Sequence, residues 1–200
     1  MPNRFFVTGT DTGVGKTVVS ALLCAALDAD YWKPIQTGSR EDMDRETVTR
    51  LADLPLHRTI PEVYCFVPPV SPHLAARRAG VRIDLRKIRL PQIEPGRTLI
   101  VEGAGGALVP INGTQLMTHL MARLRLPVIL VSRTSLGTIN HTLLSLAALR
   151  HAGLLVHGVI FSGKPNAENR KAIEHYGKVR ILGTLPPLNP LNGKALRKAF

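Results

Sequence analysis

Residues 8–17 read Thr-Gly-Thr-Asp-Thr-Gly-Val-Gly-Lys-Thr, and no other stretch of the 200-residue chain restricts its fold so tightly. The apolar run Phe5-Phe6-Val7 leads in, and Val18-Val19-Ser20-Ala21-Leu22 leads out with helical spacing. Glycines at Gly9, Gly13 and Gly15 let the backbone curl until successive N–H groups face inward on an anion. The helix start behind them adds its partial positive charge. In such a loop Lys16 reaches terminal phosphate oxygens and the Thr17 hydroxyl can ligate Mg²⁺. Five residues separate Gly9 from Gly15, one more than the usual phosphate loop has, and Thr10 stands where its first glycine would be. The junction of strand, glycine loop, Gly-Lys-Thr and helix still predicts a nucleotide-phosphate site.

Beyond this loop, apolar runs alternate with helical periodicity. Strands are predicted at 4–8, 31–33, 98–102, 127–132, 157–161 and 180–183, and helices at 16–27, 41–51, 72–78, 114–124, 138–152 and 168–175. Such alternation predicts an α/β chain of P-loop NTPase-like, three-layer form: a mostly parallel sheet with helices on both faces. Val128-Ile129-Leu130-Val131 suits a strand covered on both sides. The proline-rich stretches 67–72 and 186–190 are expected as loops, since proline cannot donate to a ladder. Two hundred residues suit one domain spanning 1–200.

Composition removes several classes of function. With 44% hydrophobic and 20% charged residues the chain can bury a core, while its longest apolar runs are too short for a membrane span. The opening Met1-Pro2-Asn3-Arg4 carries no secretory pattern, so a cytoplasmic protein is expected. Cys24 and Cys65 are expected to be buried thiols rather than metal ligands. A net charge of +12 raises the question of nucleic acid, but the basic residues are scattered and aromatics make up only 4%. Without stacking platforms the expectation is a solvated basic surface.

The third strand ends Val101-Glu102 and runs into Gly103-Ala104-Gly105-Gly106. An acid at a strand end beside a phosphate loop can bind or orient Mg²⁺; alternatively Glu102 caps its own turn. Asp42 and Asp44 are weaker candidates, because an acid at a helix start also serves the helix dipole.

Five motifs in order give the chain a resemblance to the dethiobiotin synthetases. They are residues 9–17, Lys33-Pro34-Ile35-Gln36-Thr37-Gly38, Ser71-Pro72-His73, residues 101–106, and Leu136-Gly137-Thr138-Ile139-Asn140-His141. The long Gly9–Gly15 spacing also belongs to that family. The resemblance implies that 7,8-diaminopelargonic acid takes up CO₂ (supplied as bicarbonate) as a carbamate. The carbamate is phosphorylated by ATP, and the second amine closes the ring, giving dethiobiotin, ADP and phosphate. It further implies catalytic roles for Lys33 and Lys16, a carbamate contact at Thr37, and a substrate contact at Thr12. Nucleotide would be held by Gly13, Val14, Gly15, Lys16, Thr17 and Val18, with Gly103, Ala104 and Gly105 opposite. Alignment through Arg50-Leu51-Ala52 favours Asp44 over Asp42, so Thr17, Asp44 and Glu102 would surround Mg²⁺.

The family is homodimeric. Gly137, Thr138, Ile139 and Asn140 of one subunit would therefore meet the substrate carboxylate held by the other. The base region would comprise Ser162 and Gly163, with Pro186, Pro187 and Leu188 flanking. Many members place an asparagine at the Ser162 position to read the purine edge. A serine cannot copy an amide's paired donor and acceptor, so other triphosphates are expected to be accepted. The chain is also short around 28–45 and at its C-terminus. His73 and His141 are expected to be structural, since phosphoryl transfer needs positioning and charge more than a base. Partitioning ATPases of the same fold carry a lysine near Thr10 or Asp11, which is absent here. Amidotransferase-type cobyrinate synthases need a further domain for which the chain has no room.

Overall fold

Near-continuous apolar strands need cover on both faces, and the computed structural model, which describes residues 3–40 and 43–199, provides it. Seven parallel strands lie in the order β4-β2-β6-β1-β7-β8-β9. They are β1 (Arg4–Gly9), β2 (Ala29–Trp32), β4 (Thr59–Ile60), β6 (Thr98–Gly106), β7 (Val128–Arg133), β8 (Val156–Ser162) and β9 (Ile181–Leu185). One face is covered by α1 (Lys16–Leu27), α2 (Asp44–Ala52) and α7 (Gly193–Lys198), through Val19, Cys24, Val48, Leu51 and Leu196. The other is covered by α3 (Pro72–Arg78), α4 (Met117–Leu124), α5 (Thr138–His151) and α6 (Ala167–Gly177), through Ala75, Met117, Leu120, Leu146, Leu149 and Ile173. This is the predicted three-layer arrangement.

Register brings the functional residues to one rim. Val7 of β1 lies beside Glu102 of β6, and Trp32 of β2 beside Val101, so the loop after Gly9, Lys33 and Glu102 all emerge at the carboxyl ends of neighbouring strands. In open α/β sheets ligands bind there.

Several boundaries differ from the sequence expectation. β2 ends at Trp32, because Pro34 has no N–H to continue the ladder. The chain then forms β3 (Ile35–Thr37), which pairs with β5 (Tyr64–Phe66) in a separate two-stranded parallel sheet. Both β3 and β5 were missed, as were β4 and α7. β6 continues to Gly106 rather than stopping at 102, since Gly106 still pairs with Gly9. α4 starts at Met117, not 114, because the Asn112 carboxamide oxygen accepts from the Thr114 and Gln115 amides and holds a turn. The second helix is described from Asp44; its predicted start at Glu41, and Asp42, lie outside the described residues. Cys24 is buried as expected. Cys65 is exposed, since it sits on the outward side of the small β3–β5 sheet.

The edge of the main sheet is stapled by Arg58, just before β4. Its guanidinium donates to Asp30 at 2.9 Å, to Asp28 at 2.5 Å and to the Asp28 carbonyl at 2.6 Å, fixing the strand that delivers Lys33. Asp30 is buried with it, and the next cation, Arg97, stands 3.8 Å away. Removing Arg58 leaves Asp30 a buried charge that Arg97 only partly compensates. Arg58→Met is therefore expected to cost about 3 kcal/mol in chemical denaturation, and a loss within experimental error would show the staple to be dispensable.

Candidate active site

The phosphate loop takes its shape from two glycines in left-handed backbone, Gly13 (φ 70°) and Gly15 (φ 94°). Gly15 is restricted twice over, because a Cβ there would lie 2.5 Å from Ser162 Oγ. Val14 between them is buried and anchors the loop in the core. The Lys16 Nζ folds back to donate to the Asp11 carbonyl at 3.0 Å. Burial lowers its pKa below the ordinary lysine value, Glu102 partly offsets this, and Lys33 lowers it further.

Three elements converge opposite the loop. Lys33, just past β2, donates to Asp44 Oδ2 at 2.5 Å and Glu102 Oε1 at 3.3 Å. Asp44 opens α2, and Glu102 lies within β6, where it is 1% exposed. The Thr17 hydroxyl contacts Asp44 Oδ1 and lies 3.1 Å from Glu102 Oε1. Burial disfavours the Lys33 ammonium, yet its pKa stands above the ordinary value, because Glu102 and then Asp44 outweigh burial. Burial likewise works against the Asp44 carboxylate, but Lys33 and the Thr17 hydroxyl hold its pKa below the usual range.

A cleft of about 690 Å³ opens over this cluster. Of the predicted residues it brings together Thr12, Gly13, Gly15, Lys16, Thr17, Val18, Lys33, Thr37, Asp44, Glu102, Ala104 and Gly105. Gly103 faces the other way, where a Cβ would stand 2.8 Å from the Phe6 ring. The base-region residues follow β8 and β9: the Gly163 amide donates to Leu185, and Leu188 packs on the α1 side of the core. Ser162 lies against the loop rather than reaching outward.

Gly137–Asn140 does not line this cleft. Within that turn the Thr138 side chain points inward. It is 4% exposed, its hydroxyl contacts Ser132 and the Arg133 carbonyl, and its amide donates to Ser135. Gly137 and Asn140 are exposed and Ile139 is half-buried. His73 bonds Ser71 within its own turn, and His141 is exposed on α5. Two contacts were not anticipated. Arg133 donates to Asp11 (3.2 Å) and to the Thr12 carbonyl (3.1 Å), bracing the loop, and Tyr31 donates to Glu102 (3.0 Å). Neither has a local sequence signal: Arg133 reads as a surface cation and Tyr31 as a strand residue.

Residues 3–195 match the protein family described as an AAA domain. The ATP-dependent dethiobiotin synthetase BioD of Nitrobacter hamburgensis is 52% identical over 200 residues, covering 100% of this chain and 93% of the relative. Its namesake in Agrobacterium fabrum is 49% identical, with the same shares of each chain. The chain belongs to the dethiobiotin synthetase family. Solved structures establish the fold. A ParA family ATPase from Chlorobium tepidum superposes with a TM-score of 0.53 at 12% identity, covering 100% of this chain and 90% of that one. The MinC:MinD cell division complex of Aquifex aeolicus gives 0.54 at 13%, covering 96% and 86%.

In this dethiobiotin synthetase family member the buried charge on Lys16 is held against its own solvation. The folded pKa lies below the unfolded value of 10.5, so between the two the unfolded chain binds more protons and stability rises with pH; below that window the charged lysine is a cost. Lys16→Met is therefore expected to melt higher than the parent at pH 7 without nucleotide, with a gain that shrinks towards pH 10.5. Calorimetry from pH 7 to 10 measures it, and a lower melting temperature at pH 7 contradicts the burial argument.

Proposed function

We propose that the cleft closes the ureido ring of dethiobiotin on 7,8-diaminopelargonic acid, using CO₂ and ATP and releasing ADP and phosphate. The observation that carries this reading is Lys33, a buried ammonium at the sheet rim beside the phosphate loop, in a chain 52% identical along its length to a dethiobiotin synthetase. One amine and CO₂ form a carbamate. Its oxygen attacks the γ-phosphorus, forming one P–O bond as the bond to ADP breaks. The second amine then attacks the carbonyl carbon, a C–N bond forms and phosphate leaves.

Carbamate and triphosphate repel each other, so the protein's task is fixed positive charge at their meeting point. Lys16 serves the phosphates and Lys33 the carbamate oxygen. The inward amides of residues 13–18 hold the triphosphate, with Ala104 and Gly105 across the cleft, while Thr12 and Thr37 orient the diamine and its carbamate.

The donor set fits Mg²⁺. The Thr17 hydroxyl contacts both Asp44 and Glu102, so the three residues supply hard oxygens around one point. Mg²⁺ usually keeps several waters and substrate phosphate oxygens as ligands, so one or two carboxylates suffice from the protein. When bound, the ion spreads the negative charge of the phosphate oxygens.

The homodimer reading rests on the α5 side. Leu136, Leu144 and Leu108 are 102%, 62% and 58% exposed there, beside the turn at Gly137–Asn140 that its own cleft does not use. A second subunit covering those leucines would receive that turn at its substrate carboxylate. No helix among the described residues is long and apolar enough to cross a membrane, and a cytoplasmic site supplies the ATP the reaction consumes.

Purified protein with Mg²⁺, bicarbonate, the diamine and nucleotide is expected to release phosphate and form the cyclic urea. With Ser162 turned to the loop, CTP, GTP and UTP should each support turnover within about 100-fold of ATP, the scale of a weak pocket discrimination. Lys33→Ala should lower kcat by about 10²–10³-fold; full activity in that variant rejects the charge-neutralisation mechanism. Leu144→Arg is expected to shift the protein to monomer by light scattering and to abolish turnover together with the dimer. A monomeric variant with normal turnover rejects the shared site.

A further inference from the structure

We propose that Tyr31 is a positioning residue whose phenol aims the Glu102 carboxylate at the metal-binding edge of the cleft. The proposal rests on the Mg²⁺ assignment above. Tyr31 lies within β2 and is wholly buried, among Val7, Ile100, Cys24 and other apolar neighbours on the α1 face. A hydroxyl placed in such surroundings needs a partner. It donates to Glu102 Oε2 at 3.0 Å. The other carboxylate oxygen, Oε1, is the one that Thr17 and Lys33 contact, at 3.1 and 3.3 Å. The two oxygens thus have separate duties, one anchored in the core and one presented to the cleft.

The terminal torsion of a glutamate is broad and roughly two-fold, so nothing intrinsic to Glu102 selects this presentation. The phenol supplies the selection from the side away from solvent. Groups behind a metal ligand commonly set its orientation, and losing one costs about 10–100-fold in metal affinity or activity. The main sheet places Tyr31 for the task, because β2 lies directly beside β6 and Tyr31 pairs in register with Ile100, two residues before Glu102.

Tyr31→Phe removes only the hydroxyl and keeps the ring. Nucleotide binding followed by calorimetry, at varied free Mg²⁺ and in EDTA, separates the possibilities without relying on turnover. For the variant we expect unchanged affinity in EDTA and a half-saturating Mg²⁺ concentration raised about tenfold. A Mg²⁺ requirement within twofold of the parent overturns the role of Tyr31. A parent protein whose nucleotide affinity ignores Mg²⁺ overturns the metal assignment itself.

A second measurement needs no change at position 31. With the tyrosine ring carbon bearing the hydroxyl labelled with ¹³C, the chain gives three resonances, assigned by Tyr64→Phe and Tyr176→Phe. Mg²⁺ added to the nucleotide complex should shift the Tyr31 signal and leave the other two in place. A Tyr31 signal that does not respond rejects the proposal.

Discussion

One ammonium between two carboxylates organises this protein. Lys33 follows β2, Asp44 opens α2 and Glu102 belongs to β6, so their meeting requires β2 beside β6 and α2 over the same rim. With Lys16 added, two buried cations face one buried and one half-buried anion. That balance lets the cleft exist without ligand, since isolated buried charges would each cost several kcal/mol. It also bears on the proposed reaction. A triphosphate and a carbamate would bring several further negative charges, and among the described residues the further cation lining the cleft is Arg50. In the proposed reading a divalent cation on the same oxygen donors would restore the balance.

Local signals were readable where chemistry is local. The glycine loop, the helices at 16–27 and 72–78, and the existence of the strands that lead to Lys33 and contain Glu102 all follow from glycine, proline and apolar spacing within a few residues. What escaped depends on partners distant in sequence. Ile35–Thr37 and Tyr64–Phe66 are three residues each and mean little until they pair with one another. Thr59–Ile60 exists as a strand only because β2 runs beside it. Gly103–Gly106 reads as a turn, yet β1 draws it into the ladder as far as Gly106. The same limit explains the site: residue type nominated Lys16 and Glu102 and the family resemblance Lys33, whereas Arg133 and Tyr31 acquire their contacts only from strand order.

The two helical layers divide the work. The α1–α2–α7 side closes over apolar residues and leaves the cleft at its rim. The α4–α5 side keeps large leucines in water, beside a turn that its own cleft does not contact. Scattered exposed apolar residues are ordinary; three leucines near one unused helix start are less so. The buried hydroxyls of Ser132, Thr138 and Thr142 hold that start rigidly to the end of β7, at 2.8 and 2.7 Å from Ser132. In the proposed dimer such a rigid turn would position a ligand better than a mobile one.

The fold itself leaves the chemistry open. Proteins of the same architecture, at identities near one residue in eight, share the fold, and such folds host many functions. In the proposed reading, the feature that suits this architecture to ring closure is the content of the adjacent strand end: a lysine held by two acids, a proline that stops the strand, and a threonine four residues on. Proline matters as much as the charges. By ending β2 at the rim it turns the chain away into the small sheet with Tyr64–Phe66, so that Thr37 joins the cleft wall beside Lys33 rather than extending the main ladder. Replacing Pro34 by a residue that can donate would favour continued pairing with β6 and draw Thr37 out of reach, even with every charged group intact.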